Sequence, residues 1–155
     1  MLETKNPMKL DLTTGDAITP REIEYTYPCI FSKDAIKIMA YPVETIVAEK
    51  YETIIRRNIT TTRMRDFHDL YTLYKLKKDQ IDYEVLKEAI ERTSNQRGSQ
   101  KEMQDYEEII EDIKEDSYLR SLWEVYLSEN KYIGDLTFDK VVGVVRIISN
   151  GINEM

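Results

Sequence analysis

The segment 63–69, with the sequence Arg-Met-Arg-Asp-Phe-His-Asp, carries the side chains best suited to chemistry on a phosphate group. Asp66 and Asp69 are three residues apart, which places their carboxylates at neighbouring positions on the surface of a helix. Two such carboxylates can bind a divalent metal or orient an attacking hydroxyl group. Arg63 and Arg65 can contact phosphate oxygens through charge-assisted hydrogen bonds.

Asp66 also has a purely structural interpretation. It lies on the side of the predicted helix that carries Leu70 and Leu73, so we expect its carboxylate to be partly buried. An acid in the first turn of a helix is stabilised by the helix dipole, and it would pair with Arg57 or Arg65. The spacing leaves both interpretations open.

Lys50 lies on the apolar face of the preceding predicted helix. At about 100° per residue it falls between Ile46 and Ile54, on the same side as Val43. A lysine in this position must extend its ammonium group to water or bind a buried anion, because an unpaired buried charge is costly. The pattern predicts either an ordinary ion pair or a cation positioned for nucleotide phosphates.

Asp11 and His68 are two further candidates. Asp11 lies on the polar face of a predicted strand at 8–13, where a rigid backbone would direct its carboxylate toward a metal, although the pattern alone favours an exposed aspartate on the solvent face. His68 is the only histidine, and we interpret it as a packed or exposed structural residue rather than a base. We also assign five tyrosines to packing rather than to base stacking: Tyr71, Tyr74, Tyr83, Tyr118 and Tyr126.

Hydrophobic periodicity predicts the elements that position these residues. Apolar and polar residues alternate at 8–13, and 35–40 is a second strand candidate, while 18–28 reads as an irregular or edge-strand connection. Two or three strands do not form a stable sheet alone, so we expect partner strands to be missing or to lie elsewhere.

The rest of the chain is predicted to be helical. The first two helices should pack together; Asn58 ends the first, and a threonine at 60–62 would cap the second. The predicted helices are 43–57, 63–77, 83–93, 101–114, 118–128 and 139–149, with a polar connection at 94–99 and a loop at 131–135. The predicted fold class is therefore α+β and mainly α, with a few strands of an incomplete sheet followed by a helical bundle.

Composition excludes several classes of protein. The 155 residues are 41% hydrophobic and 33% charged, which is typical of a globular chain. No apolar run is long enough to cross a membrane and no secretory signal is recognisable, so we expect a cytoplasmic protein with no membrane partner. The single cysteine, Cys29, excludes an internal disulfide framework and zinc sites built on paired cysteines.

Charge is unevenly distributed along the chain. The formal net charge of -7 argues against polyanion binding over the whole surface. Basic residues nevertheless outnumber acidic ones between Lys50 and Lys78, whereas acidic residues dominate from Asp79 to Asp116. The second stretch would repel a nucleic acid backbone, which disfavours a plain nucleic-acid-binding protein.

A series of short motifs follows the same order and spacing as in a known protein family. They are Lys9-Leu10-Asp11, Thr14-Gly15-Asp16, Tyr41-Pro42-Val43-Glu44-Thr45, Ala48-Glu49-Lys50 and the block Arg-Met-Arg-Asp-Phe-His-Asp-Leu-Tyr at 63–71. Together they resemble the AbiEii/AbiGii-type toxins. The segments 118–123 and 133–142 resemble the helical carboxy-terminal region of that family, so the resemblance covers nearly the whole chain. The Arg-x-Arg-Asp-x-x-Asp pattern is its most specific part.

The resemblance implies a polymerase-beta-like nucleotidyltransferase, the toxin of a type IV toxin and antitoxin or abortive phage-infection system. Residues 1–78 would be a partial nucleotidyltransferase region and residues 79–155 a helical carboxy-terminal region. Asp11 would match the late strand carboxylate and metal ligand, Lys50 the nucleotide-binding lysine and Asp66 the catalytic acid. Phosphate would be bound with the help of Arg63, Arg65 and Asp69.

The implied reaction is in-line attack of a hydroxyl on the α-phosphate of a nucleoside triphosphate, with Mg²⁺ neutralising charge. GTP is the nucleotide most associated with the family, some members modify the acceptor end of tRNA, and an antitoxin is the expected protein partner. A complete member also has a Gly-Gly or Gly-Ser turn before an Asp-x-Asp strand, and this sequence contains no such pattern. We therefore expect a truncated or split toxin, weak or inactive alone, that a separate amino-terminal half could complement.

The second hypothesis is a non-catalytic helical interaction module. Its partner would be an antitoxin or a second copy of the chain, bound through the apolar edge left by the missing strands.

Overall fold

The computed structural model describes residues 14–153 of the chain. The predicted strand at 8–13, including Asp11, lies outside the described residues. The described part is 69% helical and consists of a two-stranded antiparallel sheet followed by a helical bundle, which confirms the predicted α+β, mainly α class. None of the helices within 14–153 combines the length and the apolar character that a membrane span requires.

The two strands form a hairpin that stands apart from the hydrophobic core. Strand β1 is Ile23–Pro28 and strand β2 is Ala35–Ala40, with Ile23 opposite Ala40 and Pro28 opposite Ala35. Strand β2 has the predicted bounds, and β1 lies within the segment predicted as an edge-strand connection. Both strands are exposed over almost their entire length, so the hairpin contributes little to the core.

Helices α1 and α2 carry the charged residues singled out by the sequence. Helix α1 is Val43–Arg57, as predicted, and Asn58 ends it with a positive φ of 47° while its N–H bonds to the carbonyls of Ile54 and Ile55. Helix α2 is Met64–Lys77. No threonine caps α2 directly; the Thr61 hydroxyl instead accepts the backbone N–H of Arg63 at 3.2 Å, just before the first turn.

Five further helices complete the bundle. Short 3-10 turns follow α1, α2 and α6. The helices are α3 (Tyr83–Arg97), α4 (Gln100–Gln104), α5 (Tyr106–Glu115), α6 (Ser117–Glu129) and α7 (Phe138–Asn153), and the turns are Asn58–Thr60, Lys78–Gln80 and Lys131–Ile133.

The predicted polar connection at 94–99 is wrong because α3 continues through it. Thr93 and Ser94 are buried against the bundle, and the helix ends only at Gly98, whose φ of 68° suits a glycine. The predicted helix at 101–114 is interrupted at Asp105, which leaves the helical dihedral angles and separates α4 from α5. The segment 94–99 was predicted as a connection because it is polar. The break at Asp105 was not predicted because hydrophobic periodicity continues through 101–114.

One hydrophobic core joins the early helices to the late ones. Phe138 at the start of α7 lies between Phe67 of α2 and Trp123 of α6, with ring centroids 5.6 Å and 6.1 Å away. The indole N–H of Trp123 donates to the carbonyl of Leu136 at 2.8 Å. Helix α2 therefore packs through its apolar face against α6 and α7. The division of the chain near residue 78 stays a prediction.

The tyrosine assignment holds with one correction. Tyr71, Tyr74, Tyr83 and Tyr126 are partly buried and pack against the core. Tyr118 is 60% exposed, because it points away from the bundle beside the buried Leu119.

Two glycines in α7 provide a matched test of how this helix packs. A Cβ at Gly151 would overlap the ring of Tyr83, whereas a Cβ at Gly143 meets nothing within 4 Å. We expect Gly151→Ala to lower the free energy of unfolding by about 1 to 3 kcal/mol through overpacking. Gly143→Ala should raise it by up to about 1 kcal/mol, because alanine has the higher helix propensity. Urea unfolding of both variants measures the two effects, and equal effects would contradict this packing.

Candidate active site

Lys50 bridges two carboxylates on the neighbouring helix. Its Nζ donates to Asp66 Oδ1 at 2.8 Å and to Asp69 Oδ2 at 2.7 Å. The lysine side chain is 24% exposed, so the ammonium is only partly accessible to water. A lysine on the apolar face of α1 was predicted to reach water or bind an anion, and it binds two anions of α2 while keeping limited contact with solvent.

Asp66 is the most buried acid of this cluster, at 3% exposure. Its second oxygen accepts a hydrogen bond from Nε of Arg63 at 2.5 Å, so each carboxylate oxygen has its own cationic partner. The predicted burial is confirmed. The predicted pairing with Arg57 or Arg65 is wrong, because Asp66 lies in the first turn of α2 within reach of Arg63 on one side and Lys50 on the other.

The ion pairs hold both partners in their charged forms. Burial by itself would raise the pKa of Asp66, but the hydrogen bonds from Arg63 and Lys50 outweigh it and lower the pKa below its ordinary value. Burial would likewise lower the pKa of Lys50, but its bonds to Asp66 and Asp69 raise it above the ordinary value. At neutral pH the cluster is therefore a charged network, in which Asp66 is suited to orienting a group rather than to accepting a proton.

Arg65 and Asp69 form the outer part of the cluster. The Arg65 side chain is 81% exposed, and its Nε lies 3.6 Å from Asp69 Oδ2, which is longer than a hydrogen bond. Asp69 is partly exposed and accepts from Lys50. The guanidinium of Arg65 can therefore turn toward a ligand without breaking a buried contact.

A cleft of about 480 Å³ opens beside these residues. One wall is formed by Lys50 and the start of α2, and it is charged. The opposite wall belongs to α6 and consists of Leu122, Val125 and Tyr126 with Glu129 at its edge. A cleft with one charged and one apolar wall suits a ligand that has both an anionic part and a flat ring.

The α6 wall was not identified from the sequence. Its residues at positions 122, 125, 126 and 129 have helical spacing, and this stripe was the available signal. Tyr126 packs on Trp123 with ring centroids 5.4 Å apart, and burial raises the pKa of Tyr126 to about 12. His68 contacts the rings of Tyr126 and Tyr132, so its assignment to packing fits the structure.

The carboxylates of the cluster are the candidate ligands for a divalent metal. Within residues 14–153 no group of three or more His, Cys, Asp or Glu side chains could hold a metal ion. Asp66 and Asp69 direct their oxygens at the ammonium of Lys50, which already supplies a cation at that position. The described carboxylates therefore do not fit the implied Mg²⁺ on their own. The role of Asp11 as a metal ligand stays a prediction outside the described residues.

The lowered pKa of Asp66 predicts a specific dependence of stability on pH. A group whose pKa falls on folding stabilises the folded state above its unfolded pKa of about 3.9, and this contribution is lost as pH falls through the lower folded value. Asp66→Asn should remove that component and lower the free energy of unfolding at pH 7 by roughly 1 to 3 kcal/mol. Urea unfolding from pH 7 to pH 3 measures it. The exposed Asp79 offers the control Asp79→Asn, and identical pH profiles for the two variants would contradict the assignment.

Comparison with known proteins identifies the family. Residues 2–144 match the family model described as nucleotidyl transferase AbiEii toxin, type IV TA system. No curated protein and no solved structure matches the chain. The family match covers the motif block on α2 together with Lys50 and most of the helical bundle. The chain therefore belongs to the AbiEii family of nucleotidyltransferase toxins of type IV toxin and antitoxin systems.

Proposed function

We propose that the Lys50 cluster binds the phosphates of a nucleoside triphosphate, with GTP as the preferred nucleotide, and supports transfer of its nucleotidyl group to a hydroxyl acceptor. The observation that carries the proposal is the double salt bridge of Lys50 to Asp66 and Asp69 at the charged wall of an open cleft. Family membership supplies the reaction class and implies a nucleoside triphosphate substrate and an antitoxin partner.

Lys50 and Arg65 are the phosphate ligands in this proposal. An ammonium group has three donors, so Lys50 can bind a phosphate oxygen and still keep its bond to the buried Asp66. Arg65 offers a planar guanidinium from an exposed position, which suits bidentate binding of phosphate oxygens. Arg63 stays on Asp66 and holds that carboxylate in place.

The reaction is a single displacement at phosphorus. The acceptor oxygen forms a bond to the α-phosphorus, the bond from that phosphorus to the pyrophosphate oxygen breaks, and pyrophosphate leaves. The proton of the acceptor hydroxyl passes to water. Asp66 holds Lys50 in position, and the two cations offset the charge of the phosphates.

The apolar wall of α6 completes the nucleotide site. Val125 is 53% exposed and borders the cleft with Leu122 and Tyr126. A base placed there would pack against aliphatic and aromatic surface while its phosphates face α2. A tRNA end as acceptor and low activity of the chain alone are further parts of the proposal, and they rest on the family resemblance.

Lys50→Ala tests nucleotide binding directly. We expect the wild-type chain to bind GTP saturably in calorimetry with magnesium in the buffer, and Lys50→Ala to weaken binding about tenfold or more, because a charge-assisted hydrogen bond is lost. The control is Lys37→Ala on the exposed hairpin, where the lysine pairs with Glu24 at the surface. It removes the same charge and should leave binding unchanged.

A second variant separates binding from folding. Lys50→Ala leaves the buried Asp66 with one cation fewer and can destabilise the fold. Arg65→Ala changes an exposed side chain and should weaken GTP binding severalfold without altering thermal unfolding. Absence of GTP binding by the wild-type chain at millimolar nucleotide would refute the proposed function.

The exposed hairpin favours a second candidate function, a protein interaction module. One face of the hairpin presents five large apolar side chains to solvent, and Met39 is exposed on the other face; the five are Ile23, Tyr25, Tyr27, Ile36 and Ile38. Exposed apolar strands of this kind are a ready surface for strand pairing with an antitoxin, a second copy or a complementing half.

The oligomeric state tests this candidate. We expect concentration-dependent self-association in light scattering, and the charged substitution Ile38→Lys should reduce it, because it places a charge on the apolar strand surface. Lys33→Glu, in the exposed turn of the same hairpin, is the control for a change of charge alone. A monomeric wild-type chain at high concentration would count against the interaction module and leave the nucleotide site untouched.

A further inference from the structure

A second basic cleft adjoins the Lys50 cluster at the carboxyl end of α1. It has a volume of about 260 Å³ and shares Lys50, Arg63 and Asp66 with the first site. Its remaining walls carry two basic side chains of α1, one of α3, and a single further acid: Arg56, Arg57, Arg97 and Glu49, with Thr53 between them. Basic side chains therefore dominate this cleft, in a protein of net negative charge.

A fully buried acid holds two of these arginines in place. Glu52 is 0% exposed and accepts hydrogen bonds from Arg56 Nε at 2.8 Å, Arg97 Nη1 at 2.6 Å and the Ser99 hydroxyl at 2.7 Å. One carboxylate thus accepts hydrogen bonds from two guanidinium groups that belong to different helices. Their combined charge exceeds that of Glu52, and Glu49 at the cleft offsets part of the remainder.

One of the arginines that line the cleft has a buried donor without a partner in the described part of the chain. The Nε of Arg57 is buried and has no hydrogen-bond partner among the described residues. The Nη2 of Arg97 is 3.9 Å from Glu49, which is too long for a hydrogen bond. A buried donor without a partner is uncommon in folded proteins, and a water molecule or an ion can satisfy such a group.

The helix dipole gives only part of the explanation. Basic residues in the last turn of a helix are stabilised by its partial negative charge, and this accounts for Arg56 and Arg57 on α1. It accounts in the same way for Arg97, in the last turn of α3, but not for the convergence of the three side chains on one cleft or for the buried Nε of Arg57. A bound oxyanion accounts for the convergence of these guanidinium groups on one cleft.

We propose that Arg57 and Arg97, with Arg56 beside them, form a second phosphate-binding site separate from the phosphate ligands Lys50 and Arg65. This proposal rests on the proposed nucleotidyl transfer, because the shared residues place the two sites side by side. Guanidinium groups recognise phosphate oxygens whether they belong to the nucleotide or to the backbone of a polynucleotide acceptor. The shared chemistry is a phosphate oxyanion, and the two sources differ in how binding responds to salt.

Arg57→Gln is the test variant, and Arg92→Gln is its matched control. Arg92 lies on α3, pairs with Glu88 at the surface and does not line the cleft. Both variants lose one positive charge. Dissociation constants would be measured for two probes at several salt concentrations: GTP, and a short single-stranded RNA without a terminal phosphate.

The two probes distinguish the source of the phosphate. Roughly tenfold weaker RNA binding in Arg57→Gln, with a salt slope reduced by about one and GTP binding intact, assigns the site to a polynucleotide backbone. The same loss for GTP with RNA unaffected assigns it to the nucleotide. Equal affinities of Arg57→Gln and Arg92→Gln for both probes would overturn the proposal.

A measurement on the wild-type chain covers the case in which Arg57→Gln does not fold. Titration with inorganic phosphate should shift the Nε–H resonance of Arg57 saturably in nitrogen-15 NMR, while that of Arg92 stays in place. A resonance of Arg57 that does not respond would overturn the site. GTP binding by the wild-type chain keeps the two proposals apart, because its absence at millimolar nucleotide, with a responding Arg57, would refute the proposed function and leave this phosphate site standing.

Discussion

The close packing of α1 on α2 is the constraint on which the candidate site depends. Lys50 lies on the apolar face of α1, so its charge is held at the helix interface and is stabilised only if α2 presents carboxylates opposite it. Asp66 and Asp69 do this from adjacent turns, and α2 is fixed in turn because Phe67 packs against Phe138 of α7. The bundle therefore supports the charged cluster from behind, and the cluster fixes which turns of the two helices meet.

Asp66 and Glu52 follow the same arrangement on the two sides of α1. Each is a buried acid paired with two cations, one from three or four residues away in the chain and one from a neighbouring helix. Ion pairs of this kind add little net stability, because desolvation offsets the attraction. They do fix geometry, since removing one partner leaves a charge that the interior cannot solvate. The helices α1, α2 and α3 are thereby held with their basic side chains converging on one region.

Local sequence patterns were sufficient to predict the helices that form the site and one of the two partners in each of its contacts. The bounds of α1, the position of Lys50 and the burial of Asp66 follow from helical periodicity, and the order of the motifs gave the family. Patterns did not give contacts between distant segments. Arg97 is far from Glu52 in sequence, and its helix was predicted to end before it because the segment is polar. The α6 wall was not predicted either, because α6 faces α2 across the cleft and the two helices are far apart in sequence.

The only tryptophan of the chain has a useful position. Trp123 is fully buried, and its indole N–H donates to the carbonyl of Leu136. Its ring packs against Tyr126, which also lines the cleft beside Lys50. A single indole in a rigid apolar setting emits at short wavelength, and a change in the adjacent tyrosine alters its quenching. The protein thus contains an intrinsic fluorophore directly beneath one wall of its candidate site, which allows occupancy to be followed optically without a label.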